Sequence, residues 1–424
     1  MIKYSVYTLL FILTLSCGRN ALTSNNVPNI SMTVNPNNKL DKDVFFYMAG
    51  SGTITIDWGD GTVETKILRA YIDSLDNDTT YLFTHYYSRS STRTIKIRGY
   101  NITHLTTVKY LPEFYLFISN NLTRLNVSRA TTLKWLDCSH NQLTELDLGN
   151  NNALTSLNCA ANKFKKLDLS ANTALTNLDF SFNQQLAELN LSANTALTVL
   201  NFAGNQYTEF DLSAYTALTV LKCFGNKLTK LDLSNNTALT SLDCTQNQLT
   251  ELDLSANTAL TSLGCGLNQL TSLDVSKNTA LMRLSCSGSQ LTELDLSNNT
   301  VLTSLDCTAN QLTNLDLSVN TALTRLECTR NQLTELDLSN NKMLANLDCS
   351  YNQLTSLNLN NNNNELYELR CNQNQLSSNT LNTLFRMLLH DEQGKKYMHI
   401  GGNPGTKDCD KSIAEEKGWS VYNY

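Results

Sequence analysis

Charged residues, prolines and basic clusters are all scarce in this sequence of 424 residues. Asp, Glu, Lys and Arg make up only 17% of it, whereas an average protein has about a quarter. The 32 basic and 38 acidic residues give a net charge of −6, and no run rich in Lys or Arg occurs. The chain therefore lacks the electrostatic footprint of a nucleic-acid-binding protein. Its 4 prolines and 41% hydrophobic residues exclude a collagen-like or disordered chain, so we expect a folded protein.

The usual sequence signatures of enzymes are also missing. The five histidines, at positions 85, 104, 140, 390 and 399, form no HExxH pair. No GxSxG, GxGxxG or GxxxxGKS/T motif occurs either. We therefore predict that the protein is not an enzyme and that it has no cofactor and no metal.

The N-terminus has the pattern of an export signal. Lys3 provides a positive charge, and the apolar run over residues 4–15 is too short to span a bilayer, so residues 1–16 are predicted to be a signal peptide. The segment Thr14-Leu15-Ser16-Cys17-Gly18 resembles a bacterial lipobox, which implies a lipid on Cys17 and a tether over residues 17–30. The alternative is an ordinary signal peptide with an incidental cysteine.

One sequence of 21 residues, LTSLDCTQNQLTELDLSANTA from residue 239, returns again and again. Such a fixed period is the signature of a solenoid. The spacing is 21 throughout, apart from one extra residue at Gln184-Gln185 and one in residues 360–364. Taking the residue after Leu-x as a marker gives 13 coils, at Phe117, Cys138, Cys159, Phe180, Phe202, Cys223, Cys244, Cys265, Cys286, Cys307, Cys328, Cys349 and Cys371.

The alternation within a coil predicts a short strand with two faces. In Leu242-Asp243-Cys244 the Leu and the Cys point inward and Asp243 points to solvent. The second half of each repeat brings a further Leu triplet to the same interior. Twelve of the coils have Asn three residues after the marker, where its amide can bond the backbone of adjacent coils; Ser289 is the exception, which predicts a weak joint.

Ten of the 12 cysteines lie in the marker column. A 21-residue spacing fits neither a CxxC metal site nor a disulfide framework. On stacked strands the thiols would lie about 4.8 Å apart, well beyond an S–S bond, so we interpret them as core residues. Cys409 lies outside the column, and a bond between it and Cys371 is left open.

Residues outside the repeats predict two further domains. Residues 31–99 alternate like the strands of a β-sandwich, with Gly59-Asp60-Gly61 as a hairpin turn. Asp57 and Asp60 can be read as calcium ligands, but an Asp-Gly turn explains Asp60 without a metal, and we favour the turn. Residues 100–376 are the leucine-rich repeats and residues 377–424 a small α/β C-terminal cap. The cap would have an amphipathic helix capped by Ser378 or Asn379, a strand over residues 397–400, a short helix ending at residue 418 and a last strand through residue 419.

These motifs resemble known families. The pattern L-x-x-L-x-C-x-x-N-x-L-T-x-L-D-L-S-x-N over residues 112–376 resembles the cysteine-containing repeats of bacterial internalins of the internalin J type. Trp58-Gly59-Asp60-Gly61 with His85-Tyr86 resembles the PKD-type sandwich. The whole layout looks like the exported leucine-rich lipoproteins of Bacteroidetes-type bacteria. The resemblance implies a surface protein whose concave sheet binds a partner and whose cysteines form an internal ladder. Neither a sortase-type anchor nor a helical N-terminal cap is recognisable, so host-cell invasion is not implied.

A ligand would sit where outward positions vary on a rigid sheet. The least regular coils, marked by Phe180, Phe202 and Cys223, bring aromatic side chains that break the repeat, with Tyr207 and Tyr215 nearby. Aromatic and Arg side chains are common anchors of protein interfaces. The candidate binding residues are Trp135, Phe182, Val199, Val220, Lys222, Phe224, Arg283 and Arg325.

The combined prediction is a repeat solenoid with a parallel β-sheet that acts as a non-enzymatic binding or adhesion protein. We expect a monomeric outer-membrane lipoprotein, exposed on the bacterial surface and recognising a protein partner. A glycan-binding lipoprotein is an alternative, and a polysaccharide hydrolase, which needs paired carboxylates in a pocket, is another.

Overall fold

The computed structural model describes residues 27, 29–35, 43–69, 80–88, 91–111, 116–359, 365–390 and 396–423. Cys17 and the predicted signal and tether lie almost wholly outside these residues. The chain forms two compact units. The first comprises residues 1–175 and 185–193, and the second comprises residues 176–184 and 194–424.

The first unit begins with antiparallel strands in two sheets. The strands are β1 (Ile30–Val34), β2 (Asp43–Gly50), β3 (Gly52–Asp57), β4 (Val63–Leu68), β5 (Tyr81–Tyr86), β6 (Arg93–Gly99), β7 (Ile102–Thr106), β8 (Val108–Leu111), β9 (Leu116–Ser119), β10 (Leu122–Asn126) and β11 (Trp135–Asp137). One sheet has the order β10-β1-β6-β3-β4, and in the other β2 pairs with β5 and β7. Strand β7 also pairs in parallel with β11, the first strand of the regular repeats.

The Trp58-Gly59-Asp60-Gly61 segment forms the predicted hairpin turn between β3 and β4. The Trp58 amide donates to the carbonyl of Thr62 at 3.1 Å, and Gly59 adopts φ 79°, a left-handed conformation that suits glycine. The His85 ring stacks on Trp58, with ring centroids 4.8 Å apart. Trp58 also contacts Phe46 of the second sheet, with ring centroids 5.5 Å apart.

The coil marked by Phe117 differs from the others. Strand β9 pairs antiparallel with β8, and Phe117 is 46% exposed and stacks on His140 at 4.1 Å. Its expected place inside the solenoid is therefore wrong, whereas Asn120 behaves as predicted: it is buried, and its Oδ1 accepts from the Phe45 amide at 3.0 Å. The first unit continues with strands β12 (Ser156–Asn158), β13 (Lys166–Asp168) and β15 (Glu188–Asn190).

The second unit is a stack of leucine-rich-repeat coils, so the predicted solenoid is confirmed. Its main strands pair in parallel and in exact register, with Leu221, Leu242 and Leu263 at equivalent positions. These strands are β14 (Asn177–Asp179), β16 (Val199–Asn201), β17 (Val220–Lys222), β18 (Ser241–Asp243), β19 (Ser262–Gly264), β20 (Arg283–Ser285), β21 (Ser304–Asp306), β22 (Arg325–Glu327), β24 (Asn346–Asp348), β26 (Glu368–Arg370), β27 (Tyr397–His399) and β28 (Ser420–Tyr422). Two short strands, β23 (Glu335–Leu338) and β25 (Ser356–Leu359), pair on the other side of the coils.

Two columns of buried asparagines join consecutive coils. Asn247 Oδ1 accepts from the Leu228 amide at 3.0 Å, and its Nδ2 donates to the carbonyls of Cys223 and Cys244 at 3.1 and 2.9 Å. In the second half of the repeat, Asn257 Nδ2 donates to carbonyls of the preceding coil at 3.1 and 3.0 Å. Each column therefore satisfies backbone groups that would otherwise be buried without partners.

The residue before the first asparagine column adopts the left-handed conformation, at φ 57° in Gln246 and φ 55° in Phe182. The same position is Gly204 in the coil after Phe182. A Cβ added to Gly204 would lie 2.3 Å from the Phe182 ring, so this glycine leaves room for the aromatic side chain. Gly288 has the same relation to Leu267 of the preceding coil.

The marker cysteines are buried free thiols, as predicted. Cys409 is also a free thiol, and its Sγ donates to the Thr406 carbonyl at 3.5 Å. The possible bond between Cys409 and Cys371 is therefore wrong, since Cys371 belongs to the buried column.

The strand ladder continues past residue 376. Strands β27 and β28 extend the parallel sheet, and Asn403 repeats the asparagine contacts by donating to the Cys371 and Ile400 carbonyls at 2.9 and 2.8 Å. The connecting elements are helix α1 (Ser378–Met387), a 3-10 turn (Pro404–Thr406) and helix α2 (Ser412–Glu415).

Helix α1 begins one residue earlier than its predicted caps imply. The helix already includes Ser378, so the N-cap is Ser377. Its Oγ accepts from the Thr380 amide at 3.1 Å. At the other end, Lys417 Nζ donates to the Arg386 and Leu388 carbonyls, both at 2.6 Å. Within the described residues no helix has both the length and the apolarity needed to cross a membrane.

Candidate functional site

The outer face of the parallel strands in the second unit, which we call the strand face, is formed by the first and third residue of each strand. In β18 these are Ser241 and Asp243, while Leu242 between them is buried. Parallel pairing places each outer residue directly beside its counterpart in the next coil, about 4.8 Å away. The strand face is therefore a rigid grid on which side chains from different coils can form one surface.

The predicted patch in the irregular coils is brought together by this grid. Val199 and Val220 are register partners on β16 and β17, and Lys222 follows on the same strand. At the turn beside them, the rings of Phe182 and Phe224 meet edge to face at 6.0 Å, with Phe182 48% exposed. These five residues lie on three adjacent coils, with the polar outer residues Asn201 and Lys222 between the valines and the rings, and we call the set the irregular-coil patch.

The remaining candidate residues lie elsewhere. Trp135 belongs to the first unit, where it is 44% exposed on β11. Arg283 is exposed on β20 between Ser262 and Ser304, several strands from the irregular-coil patch. Arg325 is paired with Glu327 of its own strand at 2.5 Å. The structure thus joins five of the eight predicted residues into one surface.

The other aromatic residues of the irregular coils are internal. Phe202 stacks on Phe210 at 4.2 Å, and Tyr207 meets Phe180, Phe202 and Phe210 edge to face at 5.4–6.3 Å. Tyr215 is buried and stands in the second asparagine column. Tyr207 packs with the Phe markers and Tyr215 is buried in the asparagine column, so neither adds to the patch.

Replacing Tyr207 with Phe is expected to leave the protein as stable or to stabilise it by about 1 kcal/mol. The Tyr207 hydroxyl is buried without a hydrogen-bond partner among the described residues, and burial raises its pKa to about 12. Urea unfolding at pH 7 measures the effect. Phe202→Leu, which removes a stacked ring from the same cluster, is the control and should lower stability by about 1 to 2 kcal/mol. A lower midpoint for Tyr207→Phe would show that the hydroxyl has a partner.

The aspartates of the strand face act as turn residues. Asp137 Oδ1 accepts from the amide of Ser139 at 3.0 Å, and Asp243 and Asp306 make the same bond to Thr245 and Thr308 at 3.1 Å.

Asp60 in the first unit has a similar role, since its Oδ1 accepts from the amide and hydroxyl of Thr62 at 3.0 and 2.5 Å. These bonds and the neighbouring His85 hold the pKa of Asp60 well below its usual range. Within the part of the chain that the structure describes, no group of three His, Cys, Asp or Glu is placed to hold a metal.

An acidic groove of about 860 Å³ lies along the second half of three coils. Its carboxylates include Asp274, Asp295 and Asp316, and each accepts from the amide of the Ser two residues later at 2.8–2.9 Å. These backbone bonds lower the pKa of all three carboxyl groups. A glycosidase acid requires a raised pKa, which is the opposite of the shift of these three aspartates.

A second cluster on the strand face escaped the sequence analysis. It lies on the last strands and contains Glu368, Arg370, Tyr397, His399 and Tyr422. Tyr397, His399 and Tyr422 fall in the predicted cap, whereas Glu368 and Arg370 belong to the predicted repeats. The signal was present in the sequence, because Tyr-Met-His-Ile at residues 397–400 has the Leu-x-Cys alternation with other apolar residues.

Several solved structures are similar to this chain. The functional domain of InlJ from Listeria monocytogenes, which includes a cysteine ladder, is 33% identical, with 66% of this chain and 72% of that chain covered and a TM-score of 0.54. An internalin, InlF, from Listeria monocytogenes is 22% identical, with 73% and 90% covered and a TM-score of 0.57. The leucine-rich-repeat protein LIC12759 of Leptospira interrogans is 20% identical, with 64% and 80% covered and a TM-score of 0.52. No family model and no curated protein matches the sequence.

Proposed function

Because the chain belongs to the internalin-type leucine-rich-repeat proteins that carry a cysteine ladder, we propose that it is a non-enzymatic cell-surface protein that binds a protein partner through its strand face. The observation that carries the proposal is the irregular-coil patch. Phe182 is 48% exposed and its ring contacts that of Phe224 two coils away, so it presents an aromatic surface to solvent at this turn. Exposed aromatic residues on a rigid surface are typical anchors of protein interfaces.

The geometry of the patch fits a partner with an apolar protrusion and an acidic rim. Val199 and Val220 provide a flat apolar floor, and the edge-to-face pair of Phe182 and Phe224 forms one wall. Lys222 is the exposed cation at the margin. A central apolar contact with charges at the rim is the usual arrangement of specific interfaces.

Replacing Phe182 with Ala is expected to weaken binding of the partner at least tenfold, which corresponds to about 1.4 kcal/mol. The partner is first captured by a photo-crosslinking side chain at Lys222, with the same side chain at the exposed Lys277 as the background control. The affinity of the purified partner for each variant is then measured by calorimetry.

Tyr351→Ala is the matched control for Phe182→Ala. Tyr351 occupies the same turn position, with the same φ of 55° and the same 48% exposure. The two variants should therefore have similar effects on folding, and only Phe182→Ala should weaken binding. Equal affinities of the two variants would reject the irregular-coil patch as the interface.

The location is part of the proposal. We infer that Cys17 carries a lipid and that the mature protein is held on the outer face of the bacterial outer membrane. The apolar run of residues 4–15 and the lipobox-like segment support this inference. Labelling of cells with a fatty-acid analogue, comparing the natural chain with Cys17→Ser, tests the lipid, and protease treatment of intact cells tests the exposure. Unlabelled natural protein or full protection from protease would contradict the respective step.

A further inference from the structure

The strand face ends in a second surface that the proposed protein interface does not use. Its residues stand in two rows across the last three strands, with Glu368 beside Tyr397 in one row and Arg370, His399 and Tyr422 in the other. Tyr367 precedes β26 and is 46% exposed. We call the set Tyr367, Glu368, Arg370, Tyr397, His399 and Tyr422 the terminal patch.

The polar side chains of the terminal patch are held by one another. Glu368 accepts from Arg370 Nε at 2.8 Å, and it also bonds Asn346 Nδ2 on the neighbouring strand. Tyr397 is the register partner of Glu368, and its hydroxyl interacts electrostatically with Glu368 and Arg370. The network fixes these side chains before any ligand arrives, so little conformational entropy would be lost on binding.

The aromatic side chains form a short stack beside this network. The rings of His399 and Tyr422 lie 5.0 Å apart and nearly parallel, and Tyr397 meets His399 edge to face at 5.9 Å. Tyr422 nevertheless remains 36% exposed. The core beneath is filled separately by Leu369 and Met398, so the fold itself does not require aromatic residues at these outer positions.

The charges of this region are largely paired within the protein. Arg370 is bonded to Glu368, and the nearby Arg325 is bonded to Glu327. Because both of these described arginines are paired with carboxylates, they offer little to an anionic ligand, whereas the carboxylate, amide and guanidinium groups can still bond to hydroxyls. The charge pattern therefore fits a neutral ligand that is rich in hydroxyl groups.

The size of the terminal patch points the same way. Three strands spaced about 4.8 Å apart, each with about three residues in reach, span roughly 10 Å in each direction. The strand face continues into β24 with the polar residues Asn346 and Asp348, so the aromatic area is confined to these three strands, and it is several times smaller than the roughly 800 Å² that a protein interface needs on each partner. Two or three sugar rings would fill it.

We propose that the terminal patch binds a neutral carbohydrate chain. The C–H face of a pyranose ring would stack on the aromatic side chains, and its hydroxyl groups would bond to the network of Glu368, Arg370 and Tyr397. This site is separate from the irregular-coil patch and adds a second binding activity to the proposed function.

The experiment uses a printed array of neutral oligosaccharides, including β-glucans, mannans, xylans and asialo N-glycans, beside sialylated and sulfated counterparts. The full chain should bind at least one neutral class and should not prefer the acidic counterparts. Calorimetry with the best oligosaccharide then measures the variants. Tyr422→Ala and Tyr367→Ala should each weaken binding at least tenfold, and Tyr397→Phe, which keeps the ring and loses only the hydroxyl, should weaken it about threefold.

Phe182→Ala is the matched control, because it also removes an exposed aromatic residue of the second unit, but one that lies outside the terminal patch. It should leave carbohydrate binding unchanged, just as Tyr422→Ala should leave binding of the protein partner unchanged, so the two proposals fail separately. Tyr367 lies outside the strand, so its variant keeps the test valid if Tyr422→Ala unfolds. The proposal is overturned by absence of neutral-glycan binding, by preference for acidic glycans, by a protein that binds the terminal patch instead, or by unchanged affinity of a folded Tyr367→Ala variant.

Discussion

Raising the pH from 8 to 11 is expected to unfold the repeats, because the cysteine column must stay protonated. Burial in the apolar interior raises the pKa of nine column thiols, to about 12 for Cys244, Cys286 and Cys371 from an ordinary value of 9.0. The nine are Cys138, Cys223, Cys244, Cys265, Cys286, Cys307, Cys328, Cys349 and Cys371.

The sign of the effect follows from proton linkage. Above pH 9 an unfolded chain loses the thiol protons while the folded chain keeps them, so the unfolded state binds fewer protons and stability falls as pH rises. The stabilising contribution is fully present below pH 9 and is lost between pH 9 and the raised pKa of about 12. Each thiol changes the free energy of unfolding by about 1.4 kcal/mol per pH unit, and nine unfolding together by about 12 kcal/mol per unit.

Urea midpoints between pH 7 and pH 11 measure this loss. The control is the triple variant Cys244→Ala, Cys265→Ala and Cys286→Ala, which removes a third of the nine thiols. It should be less stable at pH 7 because of the cavities, and its pH slope should be about a third shallower. An unchanged slope in the triple variant would show that the thiols do not cause the alkaline unfolding.

Replacing Ser289 with Asn is expected to stabilise the second unit by about 1 to 2 kcal/mol. Ser289 is buried in the first asparagine column, and its Oγ has no hydrogen-bond partner among the described residues. In the next coil, Asn310 accepts from the Leu291 amide at 3.1 Å and donates to the carbonyls of Cys286 and Cys307 at 3.0 Å. The longer side chain of Asn would restore the equivalent bonds, including the one to the Leu270 amide.

The reciprocal variant, Asn310→Ser, should lower stability by about 2 to 3 kcal/mol, because it leaves several buried backbone groups without partners. Hydrogen exchange of single amides is the best readout, since a repeat array need not unfold in one step. In the natural chain the Leu270 amide should exchange faster than the Leu291 amide, Ser289→Asn should slow the first, and Asn310→Ser should speed the second. Equal exchange at both positions in the natural chain would refute the weak joint.

The repeat positions were predictable because their environment is the same in every coil. A Leu or Cys every 21 residues has the same neighbours above and below, so one local pattern specifies the burial of the whole column. The prediction failed where the pattern meets another element. Phe117 has the right spacing, but its strand β9 pairs with β8 instead of joining the parallel sheet, and the ring is exposed.

The candidate surfaces divide in the same way. The irregular-coil patch could be found from the sequence because its members break an otherwise constant repeat. The terminal patch was missed, since Tyr397 and Tyr422 lie beyond the last regular repeat and are brought beside Arg370 by the pairing of strands β26, β27 and β28. Tyr207 and Tyr215 also break the repeat, but they do not lie on the surface: Tyr207 packs against Phe202, and Tyr215 is buried.

The sequence by itself determined the solenoid, its inward leucines and thiols, and the asparagine ladder, because a constant period imposes the same short-range contacts on every coil. Only the tertiary structure decided which outward side chains share a surface, which aromatic residues are internal, and where the sheet ends. Those properties depend on the pairing of strands that lie outside the 21-residue repeat, and on the space that the neighbouring coil leaves for each side chain.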